Sequence, residues 1–264
     1  MSDADTREQR RRTFERTAEL YERYRPTYPE ALFDDVRTYA DLAPDDAILE
    51  VGAGPGRATI HLARWGNPMV VIEPAPAMAD IARANVAEHV HVEVRTSTFE
   101  EADFERNAFG LVAVARAFDW LDPATRVERI HDALYAYGSV ALINNFQITT
   151  NEWLPFFERV QNVYLAHAPE LAHVGDFPTA RDISEHPLLG SPLFGEYQQP
   201  EHPWEWSLSA DDYVGLMSTH SGHAALDPRV RARLHEGIVE LINAEFGGAV
   251  TEHYVAIAAL ARRA

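Results

Sequence analysis

The run Ile48-Leu49-Glu50-Val51-Gly52-Ala53-Gly54-Pro55-Gly56-Arg57 constrains this chain more than any other stretch. Apolar residues lead in, an acid sits near their end, and three glycines follow at alternate positions. Ala58-Thr59-Ile60-His61-Leu62-Ala63 then reads as a helix. A strand, a tight glycine turn and a helix N-terminus let a ligand approach bare backbone, because glycine tolerates positive φ and has no side chain in the way.

Spacing narrows the ligand. Dinucleotide sites favour G-x-G-x-x-G, with a pyrophosphate on the helix N-terminus. Here the pattern is G-x-G-x-G, and Glu50 lies two residues before the first glycine, where it would repel a pyrophosphate. Val70-Val71-Ile72 ends in Glu73, about 20 residues past the first glycine, the distance at which an acid accepts from ribose hydroxyls. The deduced ligand is a nucleoside without phosphate that carries positive charge. S-adenosylmethionine fits.

Glu50-Val51-Gly52-Ala53-Gly54-Pro55-Gly56 with Glu73 resembles the cofactor loop of the class I S-adenosylmethionine-dependent methyltransferases, of the small-molecule, type 11-like kind. The resemblance extends to Tyr24-Arg25-Pro26-Thr27-Tyr28-Pro29, to Ala117-Phe118-Asp119-Trp120-Leu121-Asp122-Pro123 and to Thr219-His220-Ser221-Gly222-His223, and so covers most of the chain. It implies that Gly52, Gly54 and Gly56 admit the methionine part and ribose, and that Glu50 orients the loop and the ammonium region. Glu73 would take the ribose hydroxyls, and Pro74 and Met78 would flank the adenine. Arg116 and Ala117 would lie beside the methionine moiety. Met78 reads almost equally well as plain helix core, since methionine fills gaps anywhere.

Two departures from the family pattern stand out. Thr98 occupies the place where many relatives have an aspartate for the adenine amino group; its hydroxyl can accept the same hydrogen bond, and Phe99 can cover the ring. Asp119 stands where relatives have histidine; it could bind a cationic substrate or simply be solvated, and it is entered as a catalytic candidate. The resemblance also implies that the N-terminal aromatic residues fold over the cofactor, with Tyr24 facing the sulfonium by a cation–π contact. Tyr21, Tyr28, Trp120 and His223 are expected on the substrate side. His220 is the candidate general base. A metal pair at His220 and His223 is disfavoured by Gly222 and by the lack of a nearby third ligand, so no metal is expected.

Composition bounds the rest. The 264 residues suffice for one full core. No apolar run approaches the roughly 20 residues of a membrane span, and the acidic start is no signal peptide, so a cytoplasmic location and no membrane contact are expected. There is no cysteine, which excludes disulfides and thiolate chemistry, and all 23 basic residues are arginine, which excludes Schiff-base chemistry. A formal charge of −18 argues against nucleic acid as a partner. The short Arg10-Arg11-Arg12 run reads as a solvated helix face.

Alternating segments predict a doubly covered parallel sheet. Strands are expected at Ala47–Val51, Met69–Ile72, Val90–Val94, Leu111–Ala115 and Val140–Ile143. Helices are expected from Thr6 to about Tyr24, then at Glu30–Tyr39, from the glycine loop to Trp65, and at Pro76–Val86 and Ala124–Tyr135. Beyond Asn145 the alternation stops. Helices are expected at Thr149–His167, Thr179–His186, Ala210–Met217 and Pro228–Glu245, an outer strand at Phe194–Trp206 and a closing strand at Val250–Ala258. The expected fold is α/β: a Rossmann-like, seven-stranded, mostly parallel sheet with helices on both faces, an antiparallel last strand and a helical lid insertion. One domain spans 1–264, with an N-terminal helical cover (1–40), a cofactor-binding core (41–145), a lid-like insertion (146–192) and closing strands and helices (193–264). The expected function is methyl transfer from S-adenosylmethionine to oxygen or nitrogen of a small metabolite, by a monomer or homodimer. The alternatives are a methyltransferase for RNA or protein, and a cofactor-binding protein on the same fold that does not methylate.

Overall fold

A computed structural model describes residues 18–173, 187–188 and 190–264. The expected helix at Thr179–His186 and most of the one beginning at Thr6 lie outside them; residues 18–24 are helical.

The sheet begins as the alternation predicts. Strands β1 (Ala47–Val51), β2 (Met69–Glu73), β3 (Val92–Thr96), β4 (Phe109–Ala115) and β5 (Leu134–Ile148) are parallel neighbours in the order 3-2-1-4-5. Side chains alternate between faces. Leu111 and Ala113 pack with Ile48, Leu62 and Val71 on one side, Val112 and Val114 with Leu49, Ile72 and Leu142 on the other. Both faces are thus dry, as a parallel sheet requires. Helices α1 (Glu30–Ala40), α2 (Arg57–Ala63), α3 (Pro76–Asn85) and α4 (Arg126–Ala133) follow β1's approach and the successive crossovers. Pro29 sits at the N-cap of α1, and Asp41 closes it in a left-handed conformation, its amide returning to the Arg37 carbonyl.

The far edge departs from expectation in detail. The outer strand is two strands, β6 (Phe194–Gln198) and β7 (Glu201–Ser209), which lie end to end along the same antiparallel edge of β8 (Ala249–Arg263). The break falls at Gln199-Pro200, and β7 carries a second proline, Pro203, which an edge strand tolerates. β5 and β8 are 15 residues each, and their ladder runs from Ser139 opposite Arg262 to Ile148 opposite His253. They overrun the carboxyl edge of the parallel strands. There α5 (Leu154–His167), α6 (Ala210–Ser218), α7 (Ser221–Ala225) and α8 (Pro228–Glu245) gather around Phe156, Tyr164, Tyr213, Leu234 and Ile238 in a third apolar cluster. This cap draws on residues 208–250 as well as on the expected insertion. Two N-caps set its helices: the Ser209 hydroxyl accepts from the Asp212 amide, and the Asp227 carboxylate accepts from the Arg229 and Val230 amides. No helix among the described residues is long and apolar enough to cross a membrane.

Candidate active site

The turn after β1 is built by backbone geometry. Gly52, Gly54 and Gly56 have φ of 71°, 58° and 92°, and the Gly52 amide donates to the Ile72 carbonyl at 2.8 Å. A Cβ on Gly52 would lie 2.4 Å from the Ala117 Cβ, so glycine is what lets the turn meet the loop after β4. A Cβ on Gly54 would meet nothing within 4 Å; it would project from the wall of a cavity of about 410 Å³. That size suits a small ligand. At the end of β2 the Glu73 carboxylate accepts from the Gly54 amide through Oε2 and from the Ala75 amide through Oε1, both at 2.8 Å. Burial raises its pKa, and those two bonds pull the other way.

Comparisons with known proteins agree with this geometry. A family model described as "Methyltransferase domain" matches residues 48–138. A protein of Mycobacterium tuberculosis described as an uncharacterized methyltransferase is 30% identical over 222 residues, 84% of this chain and 82% of its own. The chain belongs to the class I S-adenosylmethionine-dependent methyltransferases. A candidate methyltransferase of Dictyostelium discoideum is 27% identical over 213 residues, covering 78% of this chain and 75% of its own. The solved structure of a candidate type II methyltransferase from Anaeromyxobacter dehalogenans superposes on this methyltransferase with a TM-score of 0.64 at 20% identity, covering 90% of this chain and 98% of that one.

The cofactor of this methyltransferase is S-adenosylmethionine, and the residues present fit it. The bare wall at Gly54 leaves room for the ligand, and Glu73 keeps lone pairs beyond the two that the backbone uses. Gly52, Gly54, Glu73, Pro74, Met78, Thr98, Phe99, Arg116 and Ala117 all line the cavity, as do Tyr21, Tyr28 and Trp120 from the expected substrate side. The Thr98 hydroxyl already donates to the Glu101 carboxylate at 3.0 Å and accepts from the Glu101 amide at 3.2 Å. It retains one lone pair for an incoming donor. Tyr28 is buried, which raises its pKa beyond physiological range.

Other expected residues sit elsewhere. Gly56 caps α2 beneath the turn. Glu50 is fully buried under it, and neither carboxylate oxygen has a hydrogen-bond partner among the described residues. Burial pushes its pKa up to about 7, the nearby Thr59 hydroxyl restraining it and Glu73 adding to it. Tyr24 is packed on α6: a Cβ on Gly215 would lie 2.4 Å from its ring. It is not among the residues that line the cavity. Asp119 is 95% exposed at its side chain and faces Arg126 at 3.8 Å. His220 caps α7 and does not line the cavity. Burial and the Arg25 charge drive its pKa down to about 3, which makes it a poor proton acceptor at neutral pH. His223 is held in a chain, Tyr164 Oη to His223 Nε2 at 3.0 Å and His223 Nδ1 to His235 Nε2 at 3.1 Å. These bonds tie His223 into the cap.

Sequence reasoning missed two acidic walls, Glu100 and Asp122, joined by the Asp122 amide donating to Glu100 Oε1 at 2.9 Å. Glu100 follows Thr98-Phe99 directly and Asp122 stands within the quoted run from Ala117 to Pro123, which is the signal that could have found them.

Proposed function

We propose that this methyltransferase acts on a small molecule, at an oxygen or nitrogen atom. The observation that carries the reading is the size of the cavity, about 410 Å³, with Tyr21, Tyr28, Arg116 and Trp120 among its walls. A macromolecular acceptor needs an open, basic approach, and a chain with formal charge −18 offers poor electrostatic ground for nucleic acid.

When bound, the cofactor supplies a methyl group on a sulfonium, so the chain has mainly to align the acceptor and keep water out. Glu73 and the glycine turn fix the nucleoside end. Phe99 and Met78, both buried, offer apolar surface to a base. Tyr28 and Trp120 are further walls of the same cavity. Besides Glu73, the walls hold the carboxylates Glu100 and Asp122, and either can receive a proton that an acceptor hydroxyl or ammonium gives up.

The test is transfer of label from methyl-labelled S-adenosylmethionine to three pools: a low-molecular-mass metabolite extract, total RNA and unfolded protein. Label is expected in the metabolite pool. Label confined to RNA or protein overturns the proposal, and so does cofactor binding with no label in any pool.

A further inference from the structure

Two arginines without carboxylate partners stand together beside the cavity. The chain has 41 acidic and 23 basic side chains, and several arginines, Arg57, Arg64, Arg83, Arg95, Arg106 and Arg159 among them, pair with an acid. Arg25 and Arg116 make no ion pair among the described residues. Arg25 Nη2 donates to the Thr219 carbonyl at 3.3 Å, while its Nε is shielded from solvent and has no partner. Arg116 Nη1 donates to the Asn145 carbonyl at 3.3 Å. Arg25 lies over the ring of Tyr21, 5.2 Å from its centroid; Tyr21 and Arg116 are both cavity walls.

The two cations act on one region. Burial lowers the Arg25 pKa and the Arg116 charge lowers it further; both also depress His220. The acid in that neighbourhood, Glu252, does not neutralise them. It is fully buried, accepts from Tyr254 Oη and from Gln147 Nε2, and burial brings its pKa to about 7. It is therefore only partly ionised at neutral pH.

Arg116 also holds a left-handed backbone, φ 55°. Glycine or asparagine would adopt this without the strain an arginine pays. A strained residue just past the carboxyl end of a central strand, lining a cavity, is a mark of use. A half-buried cation such as Arg25, its Nε without a partner, favours an anion that returns its lost interactions, and the exposed Arg116 adds charge at the same wall. The cofactor brings one net positive charge of its own, which leaves the region still more in need of a counter-charge.

We propose that the acceptor bears an anionic group, of the carboxylate or phosphate-monoester kind, and that Arg25 and Arg116 hold it on the Tyr21 side of the cavity. This rests on the small-molecule reading above. The rival occupant is the cofactor's own carboxylate, and the experiment separates the two.

The protein saturated with S-adenosylhomocysteine is titrated calorimetrically with sodium succinate and, separately, with inorganic phosphate, against sodium chloride at matched ionic strength. Saturable binding of one of them is expected, and which one binds distinguishes the two sources of charge. Arg25→Gln is expected to weaken it roughly tenfold or more, with S-adenosylhomocysteine affinity nearly unchanged, and Arg25→Lys to restore part of it. Three results overturn the proposal: neither anion binds, Arg25→Gln leaves anion binding as it was, or it weakens S-adenosylhomocysteine by the same factor. Arg25→Lys keeps the charge and serves as the readout should Arg25→Gln fail to fold. Independently, a metabolite extract is split on an anion exchanger before labelling. Acceptor activity is expected in the retained fraction, and activity only in the flow-through overturns the proposal. Normal anion binding with no labelled metabolite in any fraction would instead sink the small-molecule reading alone.

Discussion

The Glu73 carboxylate accepts the Gly54 amide proton at 2.8 Å, tying the end of β2 to the turn after β1. Two signals that stand 19 residues apart in sequence are one hydrogen-bonded unit. Glu73 thus shapes the turn as well as offering oxygens to the cofactor sugar. Replacing Glu73 with Ala removes both, and charge-assisted hydrogen bonds are each worth roughly 1.5–3 kcal/mol. S-adenosylhomocysteine affinity is expected to fall by about 10- to 100-fold or more. Calorimetry checks this; an unchanged Kd would mean the sugar binds elsewhere.

Gly52 and Gly54 predict opposite outcomes for the same substitution. Gly52→Ala adds left-handed strain and drives a Cβ to within 2.4 Å of the Ala117 Cβ, a combined cost of roughly 2–5 kcal/mol of stability. Gly54→Ala meets no atom within 4 Å and costs only the strain, about 1–2 kcal/mol. Its methyl enters the space the ligand needs, so cofactor binding weakens. Denaturant melts and calorimetry on the two variants separate loss of fold from loss of binding.

Glu50 makes stability depend on pH. Its folded pKa, about 7, lies above the ordinary 4.5, so the folded chain holds this proton more tightly than the unfolded chain does. The stabilisation is complete below pH 4.5 and is lost as pH rises through 7. Glu50→Gln removes the penalty. It is expected to be more stable than the parent at pH 8 by on the order of 3 kcal/mol, with the gap closing toward pH 5. Glu252 titrates in the same range in both proteins, so the difference between their melting profiles isolates Glu50. A gap independent of pH would refute the assignment.

His220 and His223 are expected to stay neutral through the physiological range. Burial takes their pKa values to about 3 and about 4, so their imidazole proton resonances should not titrate between about pH 5 and 8, where an exposed histidine does. For each, the folded pKa lies below the unfolded 6.5. Stability is held above pH 6.5 and is lost as pH falls toward the folded value. Tyr164→Phe leaves His223 Nε2 without its partner at 3.0 Å and is expected to cost about 1–3 kcal/mol, read from thermal or denaturant melts.

What could be read in the chain and what could not divide by distance along it. The turn from Gly52 to Gly56 and the acid at Glu73 are local patterns, and spacing alone locates them. The α8 helix from Pro228 to Glu245 carries its own start signal in Asp227-Pro228 and matches expectation at both ends. β5 was expected only over Val140–Ile143, because Asn144, Asn145 and Gln147 break the apolar run. The structure continues it, since β8 supplies an antiparallel partner for each of them. The Arg25 contact with Thr219 bridges 194 residues, and the bond from Tyr164 to His223 bridges 59. No periodicity encodes such meetings. For the same reason Glu252, a lone acid in an apolar closing strand, gave no hint of its burial beside Tyr254 and Gln147.

The 15-residue lengths of β5 and β8 bear on how a reactant gets in. The same two strands floor the nucleotide half and rise into the helical roof, like joists running unbroken through two rooms. A hinge between floor and roof would have to snap a continuous ladder. Displacement of chain that carries no ladder bonds, such as residues 18–28 with the wall residues Tyr21 and Tyr28, would leave that ladder whole.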